Sequence, residues 1–466
     1  MKKQWFVVAL VAALGLAANS FADVQNIRLS GDIRTRGYWL QNAAESDSSG
    51  NLQADSAFIE QRTRVSVEAD LEDHVLVVVT LKAEGLWGAA DQTSTAGAGT
   101  EDDAGGAINR GWSVGVDEAY IQLNEMFYTP ATLKLGRQYL NYGRGLILSS
   151  VDQEYNYDAG RLVLDYYPFT LDLIGARLVD NGTFGGDSNH QSADLLFLNA
   201  RYEMSDNILK NIEGYFGWVA QSAHNGASSA AAPPTLNGAS PWVIGGRFDL
   251  TPMDSLKMWA EAAYEGGADG TVNNDTIGAC LVNAGASFAI KGGWSPVISA
   301  NYTYASGGGN GQSGGPYGTP GNGTFRPWFD YVEGYNGYLF APMLSNIHIF
   351  NLGVTSKPYE NFSLSCNVYY YLKADSDSFA GSNPNIDFGG LEYTYEGAQS
   401  NSRQLGWEID NVLGYDYSKD VRFQLVNAYF IPAGAYRHDG QQPPNGSFGS
   451  VNSASHEVRA EVSVKF

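Results

Sequence analysis

The sequence predicts an all-β protein: a transmembrane antiparallel β-barrel of about 18 strands, with short periplasmic turns and long extracellular loops. Three observations predict it. Apolar and polar residues alternate with period two through most of the chain. The connections between alternating segments are short and long by turns. The chain ends inside such a segment, on a bare aromatic, Phe466.

The first residues are set apart from this pattern. Met1-Lys2-Lys3 is a positive n-region, Trp5 to Ala17 is apolar apart from Gly15, and Ser20-Phe21-Ala22 supplies small residues at a cleavage site. Residues 1–22 therefore read as a signal peptide and 23–466 as an outer-membrane barrel. The apolar run is too short for a membrane-spanning anchor, and no later run reaches the ~18 apolar residues a transmembrane helix needs.

Alternation is clearest over residues 58–71. Ile59, Thr63, Val65, Val67, Ala69 and Leu71 form one face, and Glu60, Arg62, Arg64, Ser66, Glu68 and Asp70 the other. The C-terminus repeats it, with Val458, Ala460, Val462, Val464 and Phe466 against Glu457, Arg459, Glu461, Ser463 and Lys465. A last strand closing on a terminal Phe is a signal for barrel-insertion machinery. The same reading places strands at 25–40, 57–71, 74–88, 112–124, 131–141, 160–168, 170–181, 193–204 and 209–221. It continues with 242–251, 255–266, 277–290, 296–305, 346–357, 361–373, 402–416, 419–431 and 454–466. Strands of ~9–11 tilted residues cross the hydrocarbon. Turns such as Glu72-Asp73, Pro168-Phe169 and Tyr417-Ser418-Lys419 alternate with long connections at 41–56, 89–111, 142–159, 222–241, 306–345, 374–401 and 432–453. The connection 306–345 carries Tyr317, Phe325, Trp328, Phe329, Tyr331, Tyr335 and Tyr338, and is expected to fold over or into the lumen.

Composition agrees. Aromatic residues make up 13% of the chain, Gly is 55 and Cys only 2, which suits interfacial girdles and Gly-rich loops. Mean hydropathy is -0.23, as expected where only alternate strand residues meet lipid. The two cysteines, Cys280 and Cys366, fall among apolar residues at spacing two on strands that are not neighbours, so both are expected to face lipid without a disulfide. The net charge is -22, and removal of Lys2 and Lys3 leaves 26 basic residues against 50 acidic ones. Such a chain is no partner for nucleic acid. The acidic excess fits solvated outer loops better than an acidic pore.

Several motif matches carry nothing. Gly311-Gln312-Ser313-Gly314-Gly315 fits G-x-S-x-G, and Gly309 to Gly314 fits G-x-G-x-x-G, yet neither has the strand–turn–helix context its chemistry requires. None of the six histidines pairs at metal-ligand spacing. No cofactor is expected. Calcium in acidic outer loops, at Glu101-Asp102-Asp103 or Asp375-Ser376-Asp377, is the alternative to simple solvation, although Phe379 departs from an EF-hand loop.

The informative constellation is basic. Arg28, Arg34 and Arg36 share the face opposite Ile27, Leu29 and Ile33; Arg62 and Arg64 face the same way on the next strand; Lys82 follows on the third, and Arg459 and Lys465 on the last. Closure makes the last strand a neighbour of the first, so these charges share one inner wall. A charge facing lipid near midplane would cost ~2–4 kcal/mol. Two roles stay open. Glu60, Glu68, Asp70, Glu84, Glu457 and Glu461 lie on the same faces and can cross-link the wall, while guanidinium groups can pass an anion between weak carboxylate-binding sites.

Two stretches resemble the alginate export family of outer-membrane proteins. The first is Leu135-Gly136-Arg137-Gln138 with Tyr142-Gly143-Arg144-Gly145 and Tyr157-Asp158-Ala159-Gly160-Arg161. The second is Leu405-Gly406-Trp407-Glu408-Ile409-Asp410 with Tyr415-Asp416-Tyr417-Ser418-Lys419-Asp420 and Tyr429-Phe430-Ile431-Pro432. The resemblance covers 25–466. It implies an 18-stranded pore for an acidic saccharide polymer, lined by positive charge, and it assigns Arg137 and Arg144 to the pore. By alternation alone Arg137 is in phase with Leu133 and Leu135, so the strand must be irregular at Gly136 for that to hold.

The expected function is a passive outer-membrane channel for acidic saccharides or similar polar solutes, with lipid and the insertion machinery as its other partners. Two alternatives remain: a general or cation-preferring porin dominated by acidic lumen residues, and a barrel enzyme or an adhesin working through loop 306–345.

Overall fold

The computed structural model describes residues 26–46, 52–72, 74–88, 112–150, 156–180, 192–205, 208–221, 240–268, 276–308, 323–325, 328, 336–375, 402–436 and 454–466. The leader, the two glycine-motif matches and Glu101–Asp103 lie outside them, as does all of the Asp375-Ser376-Asp377 group except Asp375.

Eighteen strands follow one another in chain order: β1 (Asn26–Ser46), β2 (Leu52–Asp70), β3 (Val75–Leu86), β4 (Ser113–Leu123), β5 (Ala131–Gln138) and β6 (Tyr157–Tyr166). Then come β7 (Phe169–Asp180), β8 (Ser192–Glu203), β9 (Leu209–Gln221), β10 (Ser240–Met253), β11 (Leu256–Ala268) and β12 (Thr276–Ala289). The last six are β13 (Val297–Ala305), β14 (Ile347–Tyr359), β15 (Phe362–Lys373), β16 (Gln404–Asp416), β17 (Val421–Pro432) and β18 (Ser455–Lys465). Each pairs antiparallel with its sequence neighbours, and β1 also pairs with β18, so the sheet closes into a barrel with no free edge. The seam is completed by the terminal residue, whose N–H donates to the Gly31 carbonyl at 3.0 Å while its carbonyl accepts from the Gly31 N–H at 2.9 Å. A Cβ at Gly31 would stand 2.6 Å from the Phe466 ring, so glycine is required there.

Alternation sets the two faces. Ile27, Leu29 and Ile33 on β1, Leu196 and Leu198 on β8, and Phe350, Leu352 and Val354 on β14 are exposed on the outer wall. An aromatic belt runs near the extracellular rim of that wall and includes Trp39, Trp112, Trp218, Tyr264 and Trp407. Tyr370 stacks on Trp407 at 4.3 Å, and Trp242 lies against Tyr264 at 5.9 Å with the rings tilted by 49°. Cys280 and Cys366 are free thiols on β12 and β15, in phase with outward residues, as the alternation implied.

One sequence expectation is corrected here. Residues 41–56 are not mainly a loop: β1 runs to Ser46 and β2 starts at Leu52, and pairing continues to Ser46↔Leu52 after an irregularity between Gln41 and Glu45. The sequence of 41–56 lacks the apolar alternation that reveals a strand, although the ladder continues through it.

Candidate functional site

The basic face exists, and the structure shows its partners. Arg34 stands opposite Arg62 and Arg36 opposite Glu60 across β1 and β2. Like charges directly opposite repel, and carboxylates interleave to offset them. Arg36 Nε lies 2.6 Å from Glu461, Arg64 2.5 Å from Asp32 and 3.8 Å from Asp117, Arg62 3.9 Å from Asp32, and Arg34 3.7 Å from Glu60. Lys82 pairs with Glu84 at 3.3 Å. Arg28 pairs with Glu68 at 2.8 Å and Asp70 at 3.5 Å near the periplasmic end, where Lys465 is exposed opposite Asp32 in register. Arg459 faces the rings of Tyr38 and Tyr338 at 5.6 and 4.9 Å. Arg34, Arg62 and Arg459 are buried. The wall is thus an ion-paired lattice, and the cross-linking role is realised in it.

Two segments fold inward from the extracellular rim and pack on the inner face of the barrel, the first against β7, β9 and β11. In the first, residues 139–150 between β5 and β6, Leu140, Leu146, Ile147 and Leu148 are buried. It is closed on itself by Tyr142 N–H to the Leu148 carbonyl at 3.0 Å and by Ser150 N–H to Asn141 Oδ1 at 2.9 Å. Acidic groups of the wall then hold it. The Tyr142 hydroxyl donates to Asp172 at 2.7 Å, Gly143 N–H to Glu213 at 3.0 Å, and Arg144 N–H to Glu261 at 2.7 Å. Glu261 also accepts from Tyr215 at 2.8 Å. Arg161 reaches Asp172 at 2.5 Å, and Arg247 donates to the Gly143 carbonyl while lying 3.6 Å from Glu213. Burial pushes the Tyr142 phenol well above its ordinary range, which keeps its proton on the oxygen facing Asp172. Gly143 has φ +60, and a Cβ there would stand 2.5 Å from Glu261; only glycine lets the backbone come this close to the carboxylate. The turn leaves the Arg144 guanidinium 4.4 Å above the Trp259 ring.

The second segment, residues 336–346 before β14, uses the same device. Glu408 on β16 accepts from the N–H groups of Tyr338, Leu339 and Phe340 at 2.7, 2.8 and 2.8 Å, and Tyr371 donates to the Asn336 carbonyl at 2.7 Å. Phe340 is fully buried and stacks on Phe430 at 4.4 Å with an interplanar angle of 2°. Earlier in the same connection Trp328 donates to Glu265 on β11 at 2.8 Å. The connection therefore touches the wall at β11 and again at β16 to β18, as its aromatic content led one to expect.

Arg137 is not on the inner wall, contrary to what the resemblance implied. It is in phase with Leu133 and Leu135 after all. Its neighbour Gln138 is fully buried, and its guanidinium forms a two-pronged pair with Asp158 at 2.8 and 2.9 Å, on a β6 face opposite the buried Tyr157 and Ala159. Gly136 is irregular, with φ +127, but the irregularity does not reverse the alternation. Arg144, by contrast, does lie inside. Sequence reading passed over Asp172, Glu213, Glu261 and Glu408, which hold the segments, and Arg161 and Arg247, which accompany them. A signal was present: each of those acids is flanked by outward-phase residues within a strand, as in Trp407-Glu408-Ile409, and Arg161 sat inside a quoted motif. Among the described residues, no group of three or more His, Cys, Asp or Glu side chains is arranged to hold a metal ion.

A family model described as alginate export matches residues 27–449. The chain belongs to the alginate export family. A search of curated protein sequences returned no match. Among solved structures, the fold is similar to Pseudomonas aeruginosa OccK2 (OpdF) in complex with glucuronate, at 11% identity and TM-score 0.54 over 94% of this chain and 98% of that one. It is similar to Pseudomonas aeruginosa OpdK with vanillate, at 11% identity and TM-score 0.53 over 94% and 98%. Acinetobacter baumannii OccAB4 is similar at 9% identity and TM-score 0.55 over 95% and 99%. At such identities the likeness is one of fold. This member of the alginate export family is a closed, 18-stranded, porin-type barrel of the bacterial outer membrane.

Proposed function

We propose that this alginate export family member is a passive channel for acidic saccharides or similar polar anions, with Arg144 as its principal selectivity residue, accompanied by the basic wall of β1, β2, β3 and β18. One observation carries this reading. The acids that approach the inward segments are engaged by donors: Glu213 and Asp172 by arginine and loop groups, and Glu261 and Glu408 by backbone N–H and tyrosine hydroxyls. Arg144 is held beside them on an aromatic ring. A strongly acidic chain can therefore still offer an anion a favourable approach, because Asp172 and Glu213 face arginines, while Glu261 and Glu408 turn their oxygens to N–H and O–H donors of the segments and the wall. A guanidinium on an indole face is well placed to bind a carboxylate through paired N–H donors and release it to a neighbouring site. The family match and the glucuronate and vanillate bound by structurally similar barrels support an acidic solute. The last strand, ending on Phe466, serves as the signal for the insertion machinery in the same reading.

Planar-bilayer recording in a salt gradient tests it. The parent channel should be anion-preferring, and Arg144→Glu should move the reversal potential toward cations. Charge reversal of Arg34, Arg36, Arg62 and Arg64 should move it further. A parent channel that prefers cations would favour a general cation-type porin, and unchanged selectivity in Arg144→Glu would remove Arg144 from the role.

A further inference from the structure

The outer wall carries a row of charge that the transport reading does not use. Arg137, Asp158, Arg177 and Asp194 are direct cross-strand neighbours on β5, β6, β7 and β8. Arg137 pairs with Asp158 and Arg177 with Asp194, both at 2.8 Å. The four side chains are 41%, 55%, 46% and 54% exposed. All four are in phase with outward residues: Leu135, Gly160, Leu173 and Leu196.

Their height matters. Leu196, two residues below Asp194, stands opposite Trp218 of the aromatic belt. The row therefore runs at the level of the headgroups, where an outward charge costs little, and it takes the place of belt aromatics on these four strands. Directly beneath it Gly160 and Gly175 face each other across β6 and β7, between Leu135 and Leu196. A Cβ at Gly175 would meet nothing within 4 Å. A Cβ at Gly160 would lie 3.2 Å from Leu135 Cδ2, so Leu135 leans over that glycine and the shallow notch in the leucine-lined wall opens chiefly at Gly175.

We infer that this patch binds one phosphorylated glycolipid of the outer leaflet, with its phosphates on the arginines and an acyl chain in the Gly160–Gly175 notch. The guanidinium of Arg137 uses three of its five N–H donors within the protein, on Asp158 and the Val116 carbonyl, and two remain for a phosphate. Alternating aspartates are complementary to the divalent cations that bridge such phosphates. A polar row directly above an apolar notch matches a lipid, whose charged and oily parts are joined end to end.

Native mass spectrometry of the detergent-purified protein tests this, with diphosphoryl lipid A as probe in the presence of magnesium and its dephosphorylated form in parallel. One diphosphoryl lipid A should bind per barrel, and the dephosphorylated form should bind about tenfold or more weakly, the scale of one lost charge-assisted contact. Arg137→Gln combined with Arg177→Gln should lose a similar factor, and Gly175→Phe, which fills the notch and touches no charge, should also lower binding. Conductance should stay at the parent value in these variants. Should the double arginine variant fail to insert, Gly175→Phe decides alone. Equal binding of the dephosphorylated lipid, parent-like binding by the variants that insert, or a lipid-free dimer that the variants abolish would each overturn the assignment.

Discussion

The backbone N–H of Arg144 donates to Oε2 of Glu261 at 2.7 Å, across 117 positions of chain. That bond ties the residue proposed to select solutes to the barrel wall. Replacing Glu261 with Ala leaves the Arg144 N–H and the Tyr215 hydroxyl without their acceptor. Each unsatisfied buried group costs about 1–3 kcal/mol. The expected outcome is a barrel that still inserts, with noisier single-channel current and weaker discrimination between anions and cations. A quiet, selective channel would show that the segment is held by other means.

Gly143→Ala probes the same contact from the other side. The substitution puts a Cβ 2.5 Å from Glu261 at a φ of +60. Backbone strain of this kind costs about 1–3 kcal/mol. Comparing current noise in Gly143→Ala with Glu261→Ala, and with the two combined, should show a combined effect smaller than the sum, because both changes release one latch.

Phe340 anchors the second segment. Truncation of a fully buried Phe costs about 3–5 kcal/mol, and here the loss should appear as a looser segment rather than as an unfolded barrel, since the strand ladder does not depend on Phe340. Phe340→Ala is expected to raise mean conductance. Glu408→Gln should act in the same direction with a smaller effect, because Gln retains one carbonyl for the N–H groups of residues 338–340.

The Tyr142 phenol is raised by burial, so the folded segment keeps a proton that the unfolded chain would release near pH ~10. Its contribution is fully present below that pH and is lost as pH rises from there toward the folded value. Alkaline titration of channel noise should therefore show a loosening in the parent that is reduced in Tyr142→Phe.

Cys280 and Cys366 give a check on the outer wall. After denaturation both thiols should react with a maleimide, and in the folded protein an apolar maleimide should label the exposed Cys366 faster than the partly covered Cys280. Two thiols blocked in the denatured chain would mean that they are oxidised.

Period two made the barrel legible because lipid and water lie on opposite faces of each strand, and the neighbours of Arg34, Arg62 and Arg459 announce which way those side chains point. The signal fades where that asymmetry ends. Residues 41–46 carry no apolar alternation, and they read as loop although they belong to β1. Arg137 departs for a different reason: the family motif implies a pore position, while its phase with Leu133 and Leu135 points outward, and the outward phase is the one the strand keeps. The inward segments were legible only as a composition, the aromatics of 306–345. The carboxylates that hold them could not be matched to Gly143 or Phe340 from spacing, since Glu213 and Glu408 meet them through closure of the whole cylinder.

The Gly31–Phe466 seam also has a consequence for biogenesis. The bonds that close the ring join β1 to β18, partners separated by all the other strands of the barrel, so closure carries a large loop entropy. Until β18 pairs with β1, the sheet exposes two unsatisfied edges at which another chain can add. A chain shortened by a few C-terminal residues would keep its other hairpins and still have no way to seal, and its expected fate is capture or degradation before it reaches the bilayer.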